Sequence, residues 1–391
     1  MNKRPSKATF DAQTCRKKED EEKILLNPVT NKRPCTGTFD ILTFDDKGNM
    51  MNLSKKFLAA FTSALLVANA VAEPKDDGLS ANFYKSMKGK TVGFVPISMG
   101  FDLTQGWLAG MQRQATELGY KIVVRDPNWN VETGAQALNQ LIGEKPDILI
   151  FHPLDMQAYS RLVKKANDAG IAVISLNLKS VNNGDAYVGT DWYDMGLKQG
   201  EAIGKLCGAA GKSGKVAIIQ GVVTTPGSIF SLVGIDDSLK KFTTVKVVAN
   251  QAADWDASKA RTIASTLLKQ HEDLCGIIDL WDGQGVGTAA AISEAGKTGK
   301  VHLVTAGGGN RKPACENVAN GSFSTYISYD VPGQVRDLNN VIKMYLQAKP
   351  TPPGGKPFAL YTPLKVLTKE TLRPDSCWTV DEIAKSGGYG G

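Results

Sequence analysis

Residues 147–177 read DILIFHPLDMQAYSRLVKKANDAGIAVISLN. The stretch is apolar from Ile148 to Phe151, carries helical spacing over 156–169, stops at Gly170 and turns apolar again over 171–176. Strands on one polar-faced sheet alternate apolar with polar residues, whereas these two runs are apolar throughout. A strand buried on both faces, followed by a helix and a second such strand, predicts a parallel sheet covered on both sides.

The same grammar extends in both directions. Upstream lie apolar runs at 91–97 and 121–124, with helices expected over 104–119, ending at Gly119, and 131–142, ending before Glu144-Lys145-Pro146. Downstream, helices are expected over 197–207, 228–242, 258–269 and 289–295, and strands over 215–220, 244–248, 276–280 and 301–305. The halves also match in detail. VVRDPNWNVETGAQAL parallels VVANQAADWDASKARTI, and PDILIFHPLDMQA parallels LCGIIDLWDGQGV. A period of roughly 125 residues is far too long for a solenoid. The expected fold is therefore α/β, with two similar Rossmann-like lobes. The tail adds a strand at 326–330, a helix at 335–346, the loop AKPTPPGGKP and a last strand at 361–367. The simplest topology returns it to both lobes, with crossings near Gly189, Tyr329 and Tyr361. That assigns 88–189 with 330–358 to the first lobe and 190–329 with 359–385 to the second.

Residues 51–72, MNLSKKFLAAFTSALLVANAVA, have the layout of a secretory signal peptide. Lys55 and Lys56 precede an apolar run too short to span a membrane, and Ala70-Val71-Ala72 forms a small-x-small cleavage site. The expectation is export, with the mature chain starting near Glu73. Residues 1–50 are polar and carry a repeat, NKRPSKATFD recurring as NKRPCTGTFD, and such a composition cannot bury a core. They read as an over-extended reading frame upstream of Met51 or as a disordered head. Without the first 72 of 391 residues, 34 Lys/Arg face 31 Asp/Glu, a net charge of +3. That balance gives no electrostatic footprint for nucleic acid. Four cysteines remain, and none has the spacing of a zinc or redox pair. An even number in an exported chain suggests disulfides. Position along the lobes pairs Cys207 with Cys275 and Cys315 with Cys377, the other pairings staying open.

Open parallel sheets bind ligands beyond the carboxyl ends of their strands. In the first half those ends supply Met99, Phe101, Asp102, Thr104, Gln105, Trp107, His152, Asp155 and Asn177. In the second half they supply Gln220, Trp255, Trp281, Asp282, Gln284 and Asn310, and the crossing strand supplies Tyr329 and Asp330. Aromatic faces beside neutral and acidic hydrogen-bonding groups suit sugars and polyols. His152 reads equally as a packing histidine, Asp155 as an N-cap, and Trp129 as a structural residue outside the cleft. Arginine is scarce at these ends, which argues for a neutral or cationic ligand rather than a phosphate or carboxylate. No G-x-S-x-G elbow, metal-ligand pattern or Walker loop occurs, so neither catalysis nor a cofactor is expected.

KTVGFVPIS, GWLAGMQRQATELGYKIVV, PDILIFHPLD, VKKANDAGIAVISLN, VGTDWYDMGLKQGEAIG, GKVAIIQG and AADWDASKA occur in this order over about residues 88–370. Together they resemble the periplasmic substrate-binding proteins of sugar ABC transporters, ribose/galactose-binding class. The resemblance implies a three-strand hinge, an inter-lobe ligand cleft, no catalysis, a monomer in the periplasm, and a transporter permease as partner. By position it implies that Phe101, Asp102, Thr104 and Gln105 cover one ligand face. Trp255 stands where relatives have a stacking Phe, Trp281 where they often have Asn, with Asp282 after it, and Tyr329 beside Asp330 where they have a hinge Gln. Asn177-Leu178 replaces their Asp-Arg pair. The expected solute is a small neutral sugar or polyol, on the less polar side. Presentation of the ligand to a chemoreceptor or sensor kinase, and binding of a non-carbohydrate solute, are the alternatives.

Overall fold

A computed structural model describes residues 77–388, so the expected signal peptide and head lie outside the described residues. After helix α1 (Leu79–Met87), strands and helices alternate as the sequence predicts. The first lobe contains β1 (Thr91–Val95), α2 (Asp102–Leu118), β2 (Lys121–Val124), α3 (Val131–Glu144), β3 (Ile148–Phe151), α4 (Ser160–Asp168), β4 (Ala172–Asn177) and β5 (Ala186–Gly189). The second contains α5 (Trp192–Cys207), β6 (Lys215–Gln220), α6 (Pro226–Leu239), β7 (Lys246–Ala252), α7 (Ala257–Gln270), β8 (Gly276–Asp279), α8 (Asp282–Glu294), β9 (His302–Gly307) and β10 (Thr325–Tyr329). Then follow α9 (Val331–Gln347), β11 (Phe358–Tyr361), β12 (Leu364–Leu367) and α10 (Val380–Ser386).

The strands form two six-stranded sheets, β11-β5-β4-β3-β1-β2 and β12-β10-β9-β8-β6-β7. All pairs are parallel except β10 with β12. Strands β3 and β4 are buried at every position, which is why they carry no polar alternation. Helix α4 starts later than the sequence suggests, because the Asp155 carboxylate accepts from the Gln157 and Ala158 amides and holds a turn there.

The tail differs from expectation in two ways. The strand expected at 361–367 is two strands: β11 pairs with β5, from Phe358 against Ala186 to Tyr361 against Gly189, and β12 pairs with β10. The chain thus changes sheets at Thr362-Pro363, and residues 359–361 belong to the first sheet rather than the second. The final segment then leaves the second lobe. Trp378 donates its indole N–H to the Gly308 carbonyl of the second lobe and packs on Gly106 of α2. Helix α10 continues onto α2, with Ile383 over Gly110. An Arg311–Glu382 ion pair of 2.7 Å ties it back to the second lobe. So 380–386 straps the two lobes together instead of staying with the second.

Three crossings join the sheets, and Asn177 bonds directly at two of them and reaches the third through Gln334. Asn177, at the end of β4, has φ 60°. Its carbonyl accepts from Tyr187 (2.7 Å) and from the Trp192 indole (2.6 Å), just past the first crossing. Its side chain is bonded to the Tyr329 hydroxyl at the second crossing, and its Oδ1 accepts from Gln334 Nε2 (3.2 Å). Gln334 in turn contacts Thr362 at the third crossing and accepts from the Trp107 indole.

Both expected disulfides are present. Cys207–Cys275 closes a separation of 68 residues and Cys315–Cys377 one of 62. In the chain-entropy model a loop of this size contributes about 4 kcal/mol. Only the second bridge anchors the strap. Replacing Cys315 and Cys377 by Ser should therefore lower unfolding stability by up to about 4 kcal/mol and expose 378–388 to protease before the rest of the chain, as measured by denaturation and limited proteolysis.

Candidate ligand cleft

Each lobe sends one tryptophan into the cleft on a matching turn. In the first lobe Asn128 (φ 47°) and Trp129 (φ 65°) follow β2, and in the second Asp254 (φ 54°) and Trp255 (φ 63°) follow β7. Non-glycine residues seldom adopt positive φ, and two in a row cost energy that the surrounding structure must supply. Asn130 and Asp256 hold these turns by capping α3 and α7. With Asn177, five of the six positive-φ non-glycine residues among the described residues thus lie at strand ends beside the cleft.

The rings assemble into one box. Phe101 stacks on Trp129 with centroids 5.2 Å apart and meets Trp281 edge-on at 5.7 Å. Trp281 lies 6.1 Å from both Trp129 and Trp255. A Cβ on Gly221 would fall 2.0 Å from the Trp255 ring, so glycine is required for that indole to seat. Ile97, Leu103, Leu178 and Leu280 complete walls that are almost wholly carbon, around a cavity of about 40 Å³ that opens to solvent. Trp192 and Tyr329, 5.5 Å apart and edge-on, form the floor over the hinge.

His152 also lines the cavity. It is 3 % exposed, sits edge-on to Trp107 at 5.0 Å, and neither ring nitrogen has a hydrogen-bond partner. Burial pushes its pKa down to about 3, so the imidazole is neutral at physiological pH.

The predicted residues separate into three groups. Phe101, His152, Asn177, Trp255, Trp281 and Tyr329 converge on the cavity. Asp102 and Asp282 instead line an adjoining pocket with Gly308, Asn310 and Trp378. Burial raises the Asp282 carboxyl to about 7, opposed by the Tyr326 hydroxyl that donates to it at 2.7 Å. Thr104, Gln105 and Asp330 reach neither pocket. Thr104 donates to the Ser98 carbonyl and Gln105 to the Met99 carbonyl, while Asp330 stands at the N-cap position of α9 without a capping side-chain bond, 3.9 Å from Lys365 Nζ. Asn177 faces the cavity, but the hinge engages its polar atoms, which leaves it ill-suited to hold a ligand hydroxyl.

Trp129 is a correction: it stands in the cavity wall, not outside the cleft. Its match to Trp255 in the internal repeat was the available signal. Trp192, opening α5, was missed because its role depends on the hinge folding back under the cleft. Among the described residues no group of three potential metal-ligating side chains converges, and no helix is long and apolar enough to cross a membrane.

The buried neutral His152 has a sign-definite consequence. Its folded pKa of about 3 lies below the ordinary 6.5, so the unfolded chain binds the proton more readily between these values. No protonation penalty applies above pH 6.5, and stability falls as pH drops from there toward 3. Compared with His152→Phe, the parent should lose up to about 1.4 kcal/mol of stability per pH unit in that window, measured by urea denaturation.

Comparison with known proteins matches this architecture. The model of the periplasmic binding protein domain family covers residues 92–350. The D-allose-binding periplasmic protein of Escherichia coli is 31% identical over 205 residues, 50% of this chain and 65% of the relative. The D-ribose/D-allose-binding protein of Pseudomonas aeruginosa is 30% identical over 175 residues, 43% of this chain and 53% of that protein. The chain thus aligns with between half and two thirds of the length of these two relatives. An ABC transporter solute-binding protein of Agrobacterium vitis, solved with bound D-fucose, superposes with a TM-score of 0.66 at 20% identity, covering 73% of this chain and 97% of its own. A galactofuranose-binding protein superposes at 0.64 with 17% identity, covering 77% and 100%. With the family model spanning well over half of its length, the chain belongs to the periplasmic binding protein domain family.

Proposed function

We propose that the protein is the solute-capturing component of an ABC importer. It binds a small neutral sugar or polyol between its lobes and presents the closed form to a transporter permease. The observation that carries this reading is the aromatic cleft directly above a three-stranded hinge. Two rigid bodies on thin connections close by hinge motion, and a ligand favours closure only through contacts it makes with both sides. Trp129 and Trp255 supply such contacts from opposite lobes. The relatives named for allose and ribose support the class of ligand. Residues 51–72 support export as a periplasmic protein, and the family resemblance favours a monomer. Transfer of the closed form to a sensor in place of a permease uses the same cleft.

A non-carbohydrate solute is favoured by one observation, the carbon-walled cavity. Sugars need a hydrogen-bond partner for most of their hydroxyls, and a buried unpaired hydroxyl costs about 1–3 kcal/mol.

Small-angle scattering tests capture. Saturation with a ligand found by thermal-shift screening over sugars, polyols, alcohols and amines should reduce the radius of gyration, and an unchanged radius contradicts the reading. Each of Trp129→Ala, Trp255→Ala and Trp281→Ala should weaken binding by roughly one to three orders of magnitude in calorimetry, since burying and stacking an indole is worth a few kcal/mol.

A further inference from the structure

The polar side-chain atoms that line the cavity can be accounted for one by one. The Trp192 indole donates to the Asn177 carbonyl, the Asn177 side chain is held by Gln334 and Tyr329, and the Tyr329 hydroxyl is held by Asn177. Among the lining side chains, both nitrogens of His152 are buried without a partner, beside the indoles of Trp129, Trp255 and Trp281. The indoles only donate. A ligand hydroxyl must also place its own proton, and the unprotonated nitrogen of His152 is the one unpartnered buried side-chain acceptor among the lining residues. No lysine or arginine lines the cavity, which removes anions, and no carboxylate lines it, which removes the counter-charge for a cation.

We propose that His152 is the specificity-determining residue of the cleft and that its solute is a small neutral alcohol or carbonyl compound. One oxygen is hydrogen-bonded to the imidazole, and an otherwise apolar body lies between the tryptophans. This rests on the capture reading and narrows its ligand away from fully hydroxylated sugars. Every further hydroxyl buried in the box lacks an acceptor and lowers affinity roughly ten- to hundredfold. A neutral imidazole with two unsatisfied nitrogens inside a carbon-walled box has no stabilising role in the empty protein. An unpaired buried polar group is a cost there, and replacement by an isosteric apolar ring is neutral or favourable.

Calorimetric titration of the full exported protein with benzyl alcohol, L-fucose, D-ribose, D-glucose and choline tests this. The parent should bind benzyl alcohol at least a hundredfold more tightly than ribose or glucose, with fucose between them. His152→Phe should weaken benzyl alcohol binding tenfold or more while its thermal midpoint stays equal or rises. His152→Gln, which keeps a donor and an acceptor, should recover part of the affinity. A purely structural histidine predicts the reverse: unchanged binding in both variants. Ribose or glucose binding as tightly as benzyl alcohol overturns the inference and leaves solute capture standing. Choline binding tightest and indifferent to His152 overturns it in favour of a cation. Failure of all five probes to bind a folded parent also overturns it, whereas capture itself falls only if no screened solute contracts the molecule in scattering.

Discussion

Asn177 holds the structure together at its narrowest place. At the last position of β4 the chain adopts φ 60°, and this turns the carbonyl toward Tyr187 and Trp192 and the side chain toward Gln334 and Tyr329. Asparagine tolerates this backbone region better than most residues, and its amide supplies a donor and an acceptor at once. The three crossings are thereby tied through Asn177 and its partner Gln334. Trp192 and Tyr329 are fixed by the same bonds, and they are the floor of the cavity. The residues at the crossings and the floor of the cavity therefore form one hydrogen-bonded network.

Above that floor the walls follow from the internal repeat. The turns DPNWN and AADWD place equivalent tryptophans on opposing lobes, both on left-handed backbone. Such strain persists at positions where the site needs a fixed side-chain direction. Electrostatics is arranged around the box rather than in it. Asp279 and Asp282 flank Trp281 on the outside, both raised to about 7 by burial and bonded to Thr288 and Tyr326 respectively. His152, on the inside, is held neutral by burial. The interior thus carries no formal charge at neutral pH. The strap over α2 adds a link beside the hinge, since Trp378 touches both lobes and Cys377 is bonded to Cys315. Lobe opening must accommodate that link.

Much of this was legible in the sequence because burial leaves a local trace. Doubly covered strands read as apolar runs, Gly119 and Gly170 marked helix ends, and the four cysteines paired as their places along the second lobe suggested. Strand ends pointed to Phe101, His152, Trp255 and Trp281, since ligand position in open sheets follows from topology. What escaped depends on contacts distant in sequence. Nothing local in Thr362-Pro363 shows that two sheets meet there, and nothing in 380–386 shows that its apolar side faces α2. Thr104 and Gln105 have the right chemistry for a sugar, but their side chains turn back to nearby carbonyls. Asn177 was correctly placed at the cleft, yet its hydrogen bonds go to the hinge.

The central claim is that the tryptophan box between the lobes is the solute site. A crystal structure of the protein saturated with its tightest-binding screened solute tests this most directly. The account predicts the solute enclosed between the indoles of Trp129 and Trp255, with one oxygen at about 3 Å from a nitrogen of His152. A solute found in the adjoining pocket beside Asp102 and Asp282, with the tryptophan box empty, would contradict it.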